Sequence, residues 1–169
     1  MQDKAPAIID IEASGFGTGS YPVEIGIVLA DGSAHCYLIQ PYDDWTHWEA
    51  ETEKLHRLSR ETADRFGMDG GYVARQLNQY LEGQTIYSDA WEHDSQMLST
   101  LFERAGIPQQ FTLEQLTRIT NDEQESLWAS TLDHVTKELG LKRHRASADA
   151  RIIQATWLRT LPVDRAASS

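Results

Sequence analysis

Two carboxylates set one residue apart in an apolar run have the spacing to do chemistry: Asp10 and Glu12, within Ile8-Ile9-Asp10-Ile11-Glu12-Ala13-Ser14-Gly15. The β-branched Ile8, Ile9 and Ile11 favour a pleated strand. Side chains alternate faces along a strand, so both acids point the same way, about 7 Å apart, while Ile9 and Ile11 face a core. Burying two neighbouring acids is costly unless a cation joins them, and hard divalent cations such as Mg²⁺ take carboxylate oxygens. Taken alone, the octapeptide leaves open a strand end whose acids simply face water.

Two further stretches carry chemistry. In residues 87–98, Asp94 falls in the first turn of a helix, with Met97 and Leu98 at i+3 and i+4 packing inward. The helix macrodipole alone also favours an acid there. In residues 142–150, His144 precedes Asp149 by five positions. Five steps of a continuous helix turn through about 140°, so the two side chains would diverge. They converge only if His144 lies in the loop before the helix and Asp149 in an early turn, for which Gly140 leaves room. An imidazole of ordinary pKa, about 6.5, can take a proton from a metal-bound water near neutral pH. A solvated histidine among Lys142, Arg143 and Arg145 is the other reading.

The elements that must position these groups follow from periodicity and turn residues. The sequence predicts strands over 7–12, 23–30 and 34–40, with Asp31-Gly32 turning the second into the third. Residues 45–67 are polar with helical spacing. Residues 72–81 place Val73, Leu77, Tyr80 and Leu81 on one helical face, ended at Gly83. A short strand covers 85–88 and a helix 92–105; residues 111–116 fit either a fifth strand or a short helix. Helices from 121 to 139 and from 145 to before Pro162 complete the chain. Three antiparallel strands followed by helices alternating with single strands make an α/β fold with a mixed sheet.

Composition narrows the class. The 169 residues suit one domain over 1–169, with a core over about 7–160 and residues 163–169 as a frayed tail. Hydrophobic content of 40% and five tryptophans indicate a folded globule. No apolar run reaches the ~20 residues that span a bilayer, the N-terminus does not read as a signal peptide, and Cys36 is the only cysteine. A cytoplasmic protein that uses metal rather than thiols is expected. The net charge of −11 argues against a protein that coats duplex nucleic acid, though not against an enzyme gripping one chain end.

Asp10-Ile11-Glu12, Asp94 with Met97-Leu98, and His144-Arg145-Ala146-Ser147-Ala148-Asp149-Ala150 together resemble the three motifs of the DEDDh 3′–5′ exonucleases. That family includes the proofreading subunit of bacterial DNA polymerase, RNase T and oligoribonuclease. Glu24-Ile25-Gly26-Ile27-Val28 looks like its second strand, and residues 53–66 like the helix pair that follows its third; the likeness spans about 7–158. Two details depart from the pattern. Ala13-Ser14 stands where relatives often have two threonines, and Asp89 stands where they often have asparagine, which leaves Asp89 as an alternative to the preferred Asp94.

The resemblance implies a ribonuclease H-like fold: a mixed five-stranded sheet, three antiparallel strands then parallel ones, flanked by helices. It implies Asp10, Glu12, Asp94 and Asp149 holding two Mg²⁺ or Mn²⁺ ions, and His144 as general base. The activity implied is release of nucleoside 5′-monophosphates from the 3′ end of single-stranded DNA or RNA. Ser14, Gly15, Phe16 and Arg145 would meet the substrate, with Phe16 either wedged against a base or facing the core. Trp128 and Trp157 read as core; Trp45 and Trp48 as a surface patch or a lid; the histidines at 35, 47, 56, 93 and 134 as structural or solvated. A catalytically silent binding module of the same fold, docked on a polymerase or RNA-processing partner, and a hydrolase of short oligonucleotides are the competing readings. Relatives are variously monomers, dimers and polymerase subunits, so the oligomeric state stays open, with a homodimer among the options.

Overall fold

A computed structural model describes residues 4–162; the expectation of a tail at 163–169 lies outside the described residues. Strands β1 (Ile8–Ala13), β2 (Pro22–Val28) and β3 (Ala34–Leu38) form an antiparallel meander. Helices α1 (Ala50–His56), α2 (Arg60–Phe66) and α3 (Gly70–Leu81) follow, then β4 (Thr85–Ser88), α4 (Trp91–Ala105) and β5 (Thr112–Gln115). A short 3₁₀ turn over Leu116–Ile119 leads into α5 (Asp122–Leu139), and α6 (Ala146–Thr160) closes the described chain. The sheet order is β3-β2-β1-β4-β5, with β4 parallel to both β1 and β5. Residues 111–116 are thus divided between strand and 3₁₀ turn.

Every residue of β2 is buried, which fits a strand covered on both faces and explains why all its residues but Glu24 are apolar or glycine. One core contains Ile9, Ile11, Ile25 and Ile27 with Val73, Leu77, Met97 and Leu101 from α3 and α4. A smaller one on the opposite face sets Ile8 and Val28 against Ala150, Ile153 and Trp157 of α6. The strand alternation read from the isoleucines therefore divides two cores rather than a core and solvent.

Trp45 and Trp48 form neither a surface patch nor a lid. Trp45 is buried and stacks on Tyr21 at 5.0 Å, and half-buried Trp48 donates its indole N–H to Glu53. The acid pairing and aromatic neighbours that fix them lie in segments whose polarity masked the contacts. Trp157 is core, whereas Trp128 is only half-buried.

The helix ends are set locally. Asn121 and Gln124 form a reciprocal capping box at the start of α5, and Gly140 ends that helix with φ of 60°, a left-handed conformation that glycine adopts without steric penalty. No helix of the described residues is long and apolar enough to cross a membrane.

Candidate active site

The site grows from the middle of the sheet. Asp10 and Glu12 share one face of β1, and in the β1–β2 ladder Asp10 lies opposite Gly26 and Glu12 opposite Glu24. Any side chain at Gly26 would overlap the backbone of Ala146 and Ser147, so glycine lets the N-terminus of α6 lie directly on β2. That approach carries Asp149, in the first turn of α6, to the acids of β1. Carboxylate oxygens of Asp10, Glu12 and Asp149 fall within 4.8 Å of one another.

Asp94 approaches from the first turn of α4 and is buried. Its Oδ2 accepts a 2.6 Å hydrogen bond from Ser88 Oγ, while Oδ1 is buried without a partner among the described residues. Asp10 Oδ2 is likewise buried and unpartnered. Asp94 stands outside the close triad, yet it is the strongest charge acting on Asp10. Asp89 lies in the exposed loop ahead of α4.

Burial and neighbouring negative charge act on Asp10, Glu12, Asp94 and Asp89. Burial first, then the charges of Asp94, Glu12 and Asp149, hold Asp10 well above the usual carboxylate range. Glu12 is pushed up to about 7 by burial and by Asp149 and Glu24. Asp94 is raised to about 8, mainly by burial, against the lowering effect of the Ser88 hydrogen bond. Asp89 is raised by desolvation and by Asp149. A crowd of oxygen ligands that resists ionisation in the absence of positive charge, with two buried oxygens lacking any donor, fits a divalent metal ion.

His144 sits in the loop just before α6 with φ of 63°, and its backbone N–H donates to Asp149 Oδ2 at 3.0 Å. This left-handed turn, followed by Asp149 one helical turn on, is the arrangement in which a five-residue separation can converge. The His144 side chain is exposed. The other oxygen of Asp149 accepts from Arg143 Nε at 2.7 Å, so a guanidinium supplies positive charge to one ligand of the cluster.

The neighbouring cations are less available to substrate than the sequence suggested. Arg145 turns to Glu24, with Nη2 at 2.7 Å from one carboxylate oxygen, and the Ala146 N–H donates to the other at 2.8 Å. Glu24 is buried, so this pair ties β2 to the start of α6. The signal was present in the sequence: an acid inside a wholly apolar strand needs a cation. Its partner, 121 positions away, had no local mark.

The loop after β1 is held from below. Ser14 is buried; its Oγ lies 2.9 Å from His47 Nδ1 and accepts from the Tyr21 N–H. A side chain at Gly15 would overlap those of His47 and Glu49. Glu49 accepts the Phe16 N–H at 3.3 Å and lies 3.3 Å from His47 Nε2. Phe16 itself is 61% exposed, not a core residue, and its ring stands 5.0 Å from that of His93. His47 and His93 thus belong to the surroundings of the site. His56 is structural: its Nδ1 accepts the Leu58 N–H, so Nε2 donates to Ala13 O, at the end of β1.

With this geometry in view, the chain can be set beside solved structures. It superposes on E. coli exonuclease I in complex with a dA16 oligonucleotide with a TM-score of 0.65 at 15% identity, covering 91% of this chain and 40% of that one. The dT13 complex gives 0.66 at 13% identity, covering 92% and 40%. The zinc-bound form of the exonuclease I–single-stranded DNA complex gives 0.64 at 17%, covering 91% and 40%. The chain therefore shares the fold of this part of exonuclease I and spans about 40% of the length of these neighbours. No family model and no curated protein matches it.

Proposed function

We propose that the chain is a metal-dependent 3′–5′ exonuclease of the DEDDh kind, acting on the 3′ end of single-stranded DNA or RNA as a single-domain, cytoplasmic protein. The observation that carries this reading is the Asp10–Glu12–Asp149 triad beside Asp94, with one oxygen of Asp10 and one of Asp94 buried and unpartnered. The same fold in exonuclease I bound to oligonucleotides supports it.

Asp10, Glu12, Asp94 and Asp149 would hold two Mg²⁺ or Mn²⁺ ions. Bound there, such ions would supply Lewis-acid stabilisation of charge on a phosphodiester and lower the pKa of a nearby water. The imidazole of His144, whose backbone N–H holds Asp149, would serve as general base toward the attacking water. Ser88 orients Asp94 through its hydrogen bond, and the Arg145–Glu24 pair positions His144 and Asp149 by anchoring the start of α6. The loop at Ser14, Gly15 and Phe16 receives the terminal nucleotide, with exposed Phe16 offering a face to its base.

The test is hydrolysis of single-stranded DNA, single-stranded RNA and dinucleotides, side by side with Mn²⁺. Nucleoside 5′-monophosphates should appear from the 3′ end, and Asp10→Asn or Asp149→Asn should abolish them. A protein that binds these strands but never cleaves them would instead be a silent binding module.

A further inference from the structure

A cleft of about 660 Å³ opens at the C-terminal ends of β4 and β5, within the roughly 300–1,000 Å³ typical of small-molecule sites. It adjoins the carboxylate centre: Ser88 lines it and hydrogen-bonds Asp94, and Asp89 is the next residue. We propose that this cleft is a nucleobase subsite for the nucleotide on the 5′ side of the scissile bond, selective for bases that present amino groups. The proposal rests on the exonuclease reading and extends it to substrate choice.

Three properties of the wall carry it. First, the wall is aromatic where a base would lie. Trp91 is pinned by its indole N–H to Leu113 O at 3.1 Å, and half-buried Trp128 of α5 contributes a second ring. Stacking on such rings suits any base. Second, the lining contains no lysine or arginine, and it does contain Asp89, Glu92 and Glu125. Carboxylates repel a phosphate, so the uncharged base enters rather than the backbone.

Third, Glu125, exposed on α5 and apart from the acidic centre, accepts hydrogen bonds and donates none in its carboxylate form. Cytosine presents an N4 amino donor and adenine an N6 donor, whereas thymine presents a carbonyl oxygen at the equivalent edge. Guanine offers its N2 amino group. The lining's hydroxyls and the Gln115 amide serve either kind of base edge, so its carboxylate tips the preference to cytosine, adenine and guanine over thymine or uracil. His93 supplies the register: it lines the cleft and its ring also meets Phe16 at 5.0 Å. The terminal base beside Phe16 and the penultimate base in the cleft would be neighbours across one imidazole.

Single-stranded tetranucleotides that differ only at the penultimate position test the assignment, with kcat/KM measured in Mn²⁺. Penultimate dC, dA and dG should be cleaved roughly tenfold more efficiently than dT, chiefly through KM. Glu125→Gln, an exposed substitution that adds a donor, should shrink that ratio towards one. Equal kcat/KM for all four would overturn the subsite while leaving the exonuclease reading intact. If no strand is cleaved, the exonuclease reading fails, and a binding arm still decides on the cleft. Titration with dCMP should quench tryptophan emission at lower concentration than dTMP, and Trp128→Phe should weaken the quench. Indistinguishable curves for dCMP and dTMP would overturn the proposal in that arm.

Discussion

At the scale of single residues, the acids dominate. An acid whose folded pKa is raised keeps its proton where the unfolded chain has lost it. Between the unfolded value near 4 and the folded values of about 7 for Glu12 and about 8 for Asp94, the native state binds more protons. Its stability therefore falls as pH rises through that window. Metal-free protein should melt at lower temperature at pH 8 than at pH 5.5, and Asp94→Asn, which carries no charge, should flatten that decline in a thermal-melt series. Arg143 makes a second expectation. Its guanidinium is bound to Asp149 Oδ1 and must compete with a cation for that oxygen. Arg143→Ala should lower the Mn²⁺ concentration that gives half of the metal-induced rise in Tm, by several fold. An unchanged midpoint would show that the ion pair does not oppose metal binding.

At the scale of elements, the decisive contact is α6 on β2. Gly26 lies beneath the backbone at Ala146 and Ser147, and Arg145 reaches the buried Glu24 two positions earlier on the same strand. Gly26→Ala forces α6 away from the sheet, and overpacking of this kind costs about 1–3 kcal/mol. Because Asp149 rides on that helix, the variant should lose most of its metal-induced Tm shift as well as some basal stability. Arg145→Ala leaves Glu24 buried without its cation, at a cost of about 3 kcal/mol in denaturant unfolding. Arg145→Lys should recover only part of it, since an ammonium cannot match the two-point grip of the guanidinium.

At the scale of the whole molecule, the net charge of −11 sets how nucleic acid is met. Among the cations near the site, Arg145 is committed to Glu24 and Arg143 to Asp149, which leaves exposed Lys142 to meet phosphate. Single-strand affinity should thus depend weakly on salt, with a log–log slope no steeper than about −1.5, as two phosphate contacts would give. A much steeper slope, read from binding titrations between 50 and 200 mM salt by the same rule, would reveal a basic path not apparent in this arrangement.

How much of this was legible in the sequence follows from the range of each interaction. The β1 acids, the α4 acid with its inward Met97 and Leu98, and the strand–turn–strand at Gly32 are local patterns, and the residues themselves announce them. The mixed sheet followed from the alternation of elements, whereas the lateral order β3-β2-β1-β4-β5 is set by pairings between distant segments. The Glu24–Arg145 tie, the seat of Gly15 under His47 and Glu49, and the tryptophan-walled cleft join segments far apart in the chain. Such contacts leave no periodic trace. Trp45 and Trp48 misled for the same reason, since their polar neighbours in sequence are not their neighbours in space.

The backbone at His144 has one more consequence. A residue with a Cβ in a left-handed conformation costs of order 1 kcal/mol that glycine would avoid. Replacing His144 with glycine should leave the protein at least as heat-resistant as the parent while its turnover collapses. Robustness would then rise as catalysis is lost, and that opposition marks a position where the fold tolerates a poor local choice for the sake of chemistry.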